Sequence, residues 1–144
     1  MLIRPITCDD YDTLVDLWLV CRGSALSDTE DSREATARLL ERNPDTCFAA
    51  IDDDGLLVGA IMAAEDGRRG YVYHLGVLPK HRGMGVGEAL VQAMVAAMER
   101  KSISTVALVA STANQACNAF WERMGFVRRE DLTYRNRSLV KIGK

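Results

Sequence analysis

The sequence contains little that favours a metal site, a disulfide framework or a membrane span. Its four cysteines are scattered without a Cys-x-x-Cys pair, and only two histidines are present. A structural zinc site is therefore not expected. No run approaches the roughly 18 apolar residues of a membrane-spanning helix, and the first residues lack the apolar stretch of a signal peptide. We expect a cytoplasmic protein with reduced, mostly buried thiols.

The sequence also lacks an excess of either charge. It has 18 Lys and Arg residues against 20 Asp and Glu residues, a net charge of −2. Such a chain has no general electrostatic attraction for nucleic acid or a membrane surface, so we expect neither as a partner. Hydrophobic residues make up 48% of the 144 residues, enough for the core of one domain spanning residues 1–144. The sequence does not indicate the oligomeric state, and a homodimer is one possibility.

Hydrophobic periodicity predicts an α+β fold with the element order β-αα-βββ-α-β-α-ββ. We expect a mixed, mostly antiparallel sheet of about six or seven strands flanked by about four helices. An amphipathic helix connects two strands that should lie parallel to each other. The predicted strands cover residues 2–6, 71–79 and 105–111, the two arms of a hairpin whose turn is 52–55, and a pair within 126–140. The later helices are predicted at 85–101 and 114–124.

The segment "KHRGMGVGEAL", residues 80–90, places three glycines where a helix is predicted to begin. The first turn of a helix leaves four N–H groups unpaired and carries partial positive charge. Glycines there let another group approach the backbone closely. With the basic residues that precede them, they predict an anion site suited to a phosphate or pyrophosphate. The residues of this segment are Lys80, His81, Arg82, Gly83, Gly85 and Gly87.

The spacing of these glycines excludes two familiar phosphate loops. A dinucleotide-binding turn has the pattern G-x-G-x-x-G, whereas this segment has G-x-G-x-G. A nucleoside triphosphate loop continues with Gly-Lys-Ser/Thr, whereas Gly87 is followed by Glu88 and Ala89. An alternative interpretation is that the segment is a glycine-rich turn that only permits close packing and binds no ligand.

Two blocks of sequence resemble the GNAT N-acyltransferase superfamily. "VLPKHRGMGVG" is similar to its signature V-x-P-x-x-[RQ]-G-x-G-x-[GA], and "NQACNAFWERMGF" is similar to N-x-x-A-x-x-[LF]-Y-x-x-x-G-F. The resemblance covers residues 2–139, and residues 58–77 resemble the small bacterial YpeA-like branch. The matching positions are Val77, Pro79, Arg82, Gly83, Gly85 and Gly87 in the first block, and Asn114, Phe120, Gly125 and Phe126 in the second.

The resemblance implies an N-acetyltransferase that uses acetyl-CoA and no metal, with an amine of a small molecule or a protein as acceptor. The backbone N–H group of Val77 would polarise the thioester carbonyl. The expected pyrophosphate-binding residues are Arg82, Gly83, Met84, Gly85, Val86 and Gly87. The expected residues along the rest of the cofactor are Leu75, Gly76, Val77, Asn114 and Trp121.

The resemblance also implies direct attack by the amine, which must first lose a proton. At pH 7 a lysine-like amine is neutral in only about one molecule in 2,500. The family's base positions correspond to Tyr73 and Tyr71, on the face of the strand that carries Val77, with His74 on the other face. A free tyrosine is about 0.1% ionised at pH 7, so we interpret Tyr73, and less firmly Tyr71, as orienting substrate or water. Aromatic packing is the alternative, and Glu65 is either a base acting through water or a solvated turn acid.

Two further positions depart from the family pattern. Trp121 stands where the resemblance implies a tyrosine that protonates the leaving thiolate, and an indole N–H cannot supply that proton. Cys117 stands where alanine is usual and is interpreted as a size match. These departures keep an acyl-CoA-binding sensor or interaction module with little or no catalysis as the alternative function.

The resemblance places the acceptor pocket at residues 22–32 and at the C-terminal strands. Asp28, Glu30 and Asp31 could attract a cationic amine, or they could simply cap the helix that follows. His74 is interpreted as a core histidine.

Overall fold

A computed structural model describes residues 1–22 and 26–140 of the chain. The chain forms two compact units, Met1–Val109 and Ala110–Lys144. The interpretation of residues 1–144 as a single domain stays a prediction.

The first unit carries the sheet and three of the α-helices, and the second carries one α-helix among its described residues. A short 3₁₀ turn, Cys8–Asp10, precedes the first helix, and another, Pro79–His81, follows the fourth strand. The elements are β1 (Leu2–Pro5), α1 (Tyr11–Arg22), α2 (Arg33–Arg42), β2 (Phe48–Ile51), β3 (Leu57–Glu65), β4 (Gly70–Val77), α3 (Val86–Arg100), β5 (Val106–Ala107) and α4 (Gln115–Arg123).

The sheet has the order β1-β2-β3-β4-β5. Neighbouring strands from β1 to β4 are antiparallel, and β4 pairs with β5 in parallel. The mixed, mostly antiparallel sheet is therefore confirmed, as is the parallel relationship of the two strands that α3 connects. This parallel pair is the part of the sheet that positions the site described below.

The β2–β3 hairpin forms at the predicted turn. The carboxylate oxygen Oδ1 of Asp52 accepts hydrogen bonds from the N–H groups of Asp54 and Leu56, each at 2.9 Å. Gly55 adopts a φ of +83°, which glycine reaches without steric penalty. An Asp that binds its own backbone two residues on, followed by a left-handed glycine, is the chemistry expected of this turn.

Helix α1 packs its apolar stripe on the sheet. Leu14, Leu17 and Trp18 are buried and follow the spacing of one helix face. They belong to a core that also includes residues of β2 and β3. Tyr11 and Cys21 extend the same stripe by about one turn in each direction and are partly buried against this core. The stripe brings α1 onto the face of β4 that carries His74 and Gly76.

The predicted strand pair within residues 126–140 is wrong, because these residues contain no strand. The apolar side chains of that segment stay exposed, Val127 at 81% and Leu132 at 62%. A strand needs a neighbour for its backbone groups and a buried face for its alternate side chains. The fifth strand is also shorter than residues 105–111. The described chain thus has five strands rather than six or seven, with four α-helices as expected.

The expectation of mostly buried thiols is wrong as well. All four cysteines are free, but only Cys47 is buried, while Cys8 is exposed and Cys21 and Cys117 are partly buried. Burial raises the pKa of Cys47 to about 11 because the interior disfavours its thiolate. In the described part of the chain, no helix has the length and apolar character required to cross a membrane.

Candidate active site

The glycine segment forms an uncapped helix start. Gly85 is the N-cap of α3, a helix of 15 residues, and provides no side-chain hydrogen bond to it. Gly83 and Gly85 have φ values of +76° and +82°, and no atom lies within 4 Å of the place where a Cβ would stand on either residue. The positive φ favours glycine at both positions, and the space beside them is open. An anion can therefore approach the first N–H groups of α3.

Strand β4 has an open edge next to this segment. Its pairing with β5 consists of Gly70 with Val106 and Tyr71 with Ala107, and no described strand pairs with residues 72–77 on that side. The N–H group of Leu78 donates to the carbonyl oxygen of Val58 at 2.8 Å, toward β3. Because backbone groups alternate in direction along an antiparallel strand, the N–H and C=O groups of Val77 point to the open edge. An extended ligand can pair with β4 along this edge.

The carbonyl group of Val77 is held in place by two side chains. The Nε–H group of Arg82 donates to this oxygen at 2.9 Å, and the thiol of Cys21 lies 3.6 Å from the same oxygen. The Nη2 atom of Arg82 is 3.7 Å from the Cys21 sulfur. The sequence predicted Arg82 as part of the anion site but not its side-chain bond to Val77. Cys21 was missed because it is 56 residues distant in sequence from Val77.

Tyr73 is the extra residue of a β-bulge. His74 is paired with Met62 and Val72 with Ala63, so Tyr73 has no counterpart on β3. Its side chain is 47% exposed, and its ring centroid lies 4.8 Å from that of Tyr71. This contact agrees with the prediction that Tyr71 and Tyr73 share one face of β4. The prediction that this face also carries Val77 is wrong for Tyr71, because Tyr71 is paired with Ala64 and Val77 with Gly59, which lie on opposite faces of β3. The bulge itself had no signal in the sequence, since no glycine marks it.

Glu65 lies at the end of β3, opposite Gly70 at the start of β4. Its carboxylate oxygen Oε1 accepts a hydrogen bond from the N–H group of Gly67 at 2.6 Å. The side chain is thus engaged in the β3–β4 turn, which corresponds to the turn-acid interpretation. The prediction that Glu65 acts as a base through water would require this hydrogen bond to be exchanged for one to water.

His74 is buried on the face of β4 that packs against α1. Its imidazole ring stacks on Trp18, with ring centroids 4.5 Å apart and planes inclined by 21°. Its Nε2 atom is 2.6 Å from the carboxylate oxygen Oδ1 of Asp31. Burial lowers the pKa of His74 below its usual value, and the neighbouring carboxylate of Asp31 opposes that shift. The interpretation of His74 as a core histidine is consistent with this environment, but its partner 43 residues away could not be seen from the sequence.

The acidic residues before α2 are not equivalent. Asp28 and Glu30 are exposed, whereas Asp31 is partly buried and binds both His74 and the N–H group of Ser27, the latter at 2.8 Å. The N-cap of α2 is Ser32, whose hydroxyl accepts from Ala35 N at 3.1 Å. None of the three acids is therefore the cap itself. Residues 23–25 of the predicted acceptor pocket lie outside the described residues.

The second unit contains the remaining predicted site residues. Asn114 is the N-cap of α4, and its side-chain oxygen accepts from the N–H group of Cys117 at 3.0 Å. Trp121 is buried and makes edge-to-face contacts with Phe120 and Phe126, at centroid distances of 5.2 and 5.0 Å. This aromatic cluster fixes the end of α4, where Gly125 takes a φ of +91°. Cys117 is partly buried in the same helix.

The described residues include no group of three or more His, Cys, Asp and Glu side chains arranged to hold a metal ion. The features brought together in the first unit are instead a helix start open to an anion, an open strand edge with an outward N–H group, and a tyrosine pair on the same strand, of which Tyr73 is exposed. Such an arrangement can hold an extended anionic ligand and polarise a carbonyl group placed at Val77.

Comparisons with known proteins agree with this arrangement. The acetyltransferase (GNAT) family model matches residues 11–126. An acetyltransferase of Photorhabdus laumondii is 30% identical over 142 residues, covering 97% of each chain. An acetyltransferase of Sodalis glossinidius is 28% identical over 141 residues, covering 98% of this chain and 97% of its own.

Solved structures share the fold at lower sequence identity. The complex of AAC(6')-Iy with the bisubstrate analogue CoA-S-monomethyl-acetylneamine has a TM-score of 0.76 at 19% identity, covering 95% of this chain and 98% of its own. The PaiA N-acetyltransferase of Thermoplasma acidophilum, solved with coenzyme A, has a TM-score of 0.72 at 19% identity, covering 85% and 87%. The family match across most of the chain and the curated relatives along nearly its whole length lead to one conclusion: the chain belongs to the acetyltransferase (GNAT) family, and it is a GNAT N-acetyltransferase.

Proposed function

We propose that the protein transfers the acetyl group of acetyl-CoA directly to a primary amine of a small molecule or a protein. The proposal rests on one observation. The open edge of β4, where the Val77 N–H group points outward, lies next to the uncapped start of α3. Pantetheine is an extended chain with amide groups, which suits a strand edge, and a pyrophosphate suits a helix start.

The cofactor lies along residues that the sequence already singled out. The N–H groups of residues 82–87 bind the pyrophosphate, and Leu75, Gly76 and Val77 lie beside the pantetheine arm. The Val77 N–H group donates to the thioester oxygen as negative charge develops there. The assignment of Asn114 and Trp121 to the cofactor stays a prediction from the family resemblance. Support comes from relatives in the family whose structures were solved with CoA or a CoA-containing analogue.

The acceptor approaches from the side of β4 that carries Tyr73 and Tyr71. Exposed tyrosine rings can bind a cationic amine through their faces, and a hydroxyl group can orient the amine or a water molecule that accepts its proton. Asp28 and Glu30 provide exposed negative charge that attracts a cation. Glu65 acts as a base through water only if its hydrogen bond to Gly67 opens. A cytoplasmic location and the oligomeric state stay predictions.

The experiment measures free thiol release from acetyl-CoA by the purified protein with a panel of primary amines. The panel contains an aminoglycoside, a polyamine, a lysine-containing peptide and a peptide with a free α-amine. We expect amine-dependent thiol release with at least one of them, together with an acetylated product of the expected mass. Tight acetyl-CoA binding without turnover on any amine would instead favour a binding module.

The cofactor site is tested separately with Gly85→Glu, which adds a side chain and a negative charge where the pyrophosphate binds. Gly67→Glu is the matched control, since Gly67 has a φ of +90° with no atom near its Cβ position, and it lies beyond the opposite end of β4. Both variants carry the same backbone strain. We expect Gly85→Glu to abolish acetyl-CoA binding in calorimetry and Gly67→Glu to leave it within about twofold, a difference under about 0.5 kcal/mol. Equal effects would contradict the assignment.

A further inference from the structure

The segment before α2 and the bulge of β4 are joined through one buried residue, His74. The carboxylate oxygen Oδ1 of Asp31 accepts a hydrogen bond from the Nε2–H group of His74 at 2.6 Å. The other oxygen, Oδ2, accepts one from the N–H group of Ser27 at 2.8 Å. The backbone carbonyl of Asp31 also accepts the hydroxyl group of Tyr11 at 2.7 Å. Residues 27–31 are therefore bound to both α1 and β4 at a single point.

The protonation state of His74 follows from its partners. A carboxylate can only accept a hydrogen bond, so Nε2 carries the ring proton and Nδ1 keeps its lone pair. Nδ1 is buried and has no hydrogen-bond partner within the described part of the chain. Protonation of Nδ1 would create a buried N–H group without an acceptor, which is unfavourable. The neutral ring donating to Asp31 is thus the arrangement that the site favours.

The same ring fixes the bulge. His74 immediately follows Tyr73, the residue left out of the β3–β4 ladder. On the buried side, the stack on Trp18 and the hydrogen bond to Asp31 restrain His74 from two directions. Because the bulge interrupts the regular ladder at Tyr73, the backbone position of this residue depends on how its neighbour His74 is held. One residue thereby sets the position of both the tyrosine and the acidic segment.

We propose that His74 is a positioning residue, which holds Tyr73 and residues 27–31 as one unit on the acceptor side of the site through its contacts with Asp31 and Trp18. This inference rests on the proposed function for the identity of the acceptor side. It assigns no chemistry to His74 itself. Its consequence is that acceptor binding depends on His74, whereas acetyl-CoA binding at the glycine segment and the edge of β4 does not.

The test uses two variants that each remove one contact. His74→Phe keeps an aromatic ring against Trp18 and loses the donor to Asp31, whereas His74→Gln keeps a donor at a similar reach and loses the ring. We expect His74→Phe to raise the acceptor KM about tenfold, a loss of about 1.4 kcal/mol, while the Kd of acetyl-CoA stays within twofold. His74→Gln should restore most of the acceptor affinity. Equal changes in acceptor KM and acetyl-CoA Kd would overturn the proposal, as would failure of Gln to restore it.

Hydrogen exchange of the free protein tests the positioning without any substrate. In His74→Phe, backbone exchange should rise both in residues 27–31 and in residues 72–77, and His74→Gln should lower it again. Faster exchange in only one of the two segments, or in neither, would refute the proposal that His74 holds both segments in place. If His74→Phe does not fold, Asp31→Ala removes the same hydrogen bond from the more exposed partner and must give the same pattern. If the wild-type protein turns over no amine, the proposed function fails and the exchange result alone decides the positioning role.

Discussion

Arg82 and Val77 are joined by a hydrogen bond of 2.9 Å, from the guanidinium Nε–H group to the backbone carbonyl oxygen. This bond links the segment that is proposed to hold the pyrophosphate to the strand end that is proposed to hold the thioester. It crosses only five residues of sequence. The two halves of the cofactor site are therefore set relative to each other before any ligand binds.

Arg82→Met should weaken acetyl-CoA binding about fivefold, because an exposed hydrogen bond to a charged donor contributes about 1 kcal/mol. The exposed Arg68 in the β3–β4 turn provides the control, since Arg68→Met removes the same charge from the surface. Calorimetric titration of acetyl-CoA into both variants at one salt concentration measures the difference. Equal affinities of the two variants would show that only the lost charge matters.

Tyr73→Phe should lower kcat about tenfold and leave acetyl-CoA affinity unchanged. A hydrogen bond that orients the amine or its proton acceptor contributes to the transition state, and about 1.4 kcal/mol corresponds to tenfold. Tyr71→Phe, on the neighbouring ring, should have the smaller effect because Tyr71 is paired within the regular ladder. Steady-state rates with the best amine of the panel and calorimetry with acetyl-CoA separate the two quantities. A parallel loss of both in Tyr73→Phe would remove it from the chemical step.

Gly76→Ala should destabilise the protein through a single neighbour. A Cβ at this position would stand 3.0 Å from the sulfur and 3.4 Å from the Cβ of Cys21. Overpacking of this kind costs about 1–3 kcal/mol of unfolding free energy. Adding Cys21→Ala removes the sulfur, so the double variant should recover at least about 1 kcal/mol relative to the sum of the single variants. Urea denaturation of all four proteins measures this coupling, and strict additivity would place the strain elsewhere.

Stability should fall as the pH decreases below the ordinary pKa of histidine, 6.5. The folded protein holds the pKa of His74 lower than this value, so the unfolded chain binds more protons in that range and acidification favours unfolding. The charged groups that influence the ring are Asp31, Glu30 and Arg22.

Urea denaturation at pH 7.5, 6.5 and 5.5 should show a decrease in unfolding free energy for the wild type that is smaller in His74→Gln. The paired carboxyl of Asp10 does not interfere, because Arg4 lowers its pKa from 3.8 and its contribution is lost only in more acidic solution. Parallel pH dependence in the two proteins would mean that the histidine is not the group responsible.

Much of the sheet could be predicted because its signals are local. The turn at Asp52 and Gly55 has its own hydrogen-bonding chemistry, and the helix that begins at Val86 follows Gly85, whose left-handed conformation favours glycine. The C-terminal strands were predicted from alternation alone. Alternation is only a necessary condition, since residues 126–139 have apolar positions that stay exposed and charged residues such as Arg129 that bind Asp131 two residues away.

The candidate site divides in the same way. The glycine-rich start of α3 could be predicted, because its residues are consecutive in the sequence. The contacts of His74 with Asp31 and of Cys21 with Val77 join residues 43 and 56 positions apart. No periodicity encodes such pairs. The bulge at Tyr73 belongs with them, since it arises from the register between two strands and not from the residues of either one.

The bulge has a consequence for how this enzyme could be altered. The extra residue of a bulge takes no part in the ladder that joins the two strands. Position 73 can therefore accept side chains of different size and polarity without a change in sheet register, whereas position 74 is bound to two other elements. A library randomised at Tyr73 should yield mostly folded proteins with altered acceptor preference, and natural duplicates of the gene could diverge by the same route.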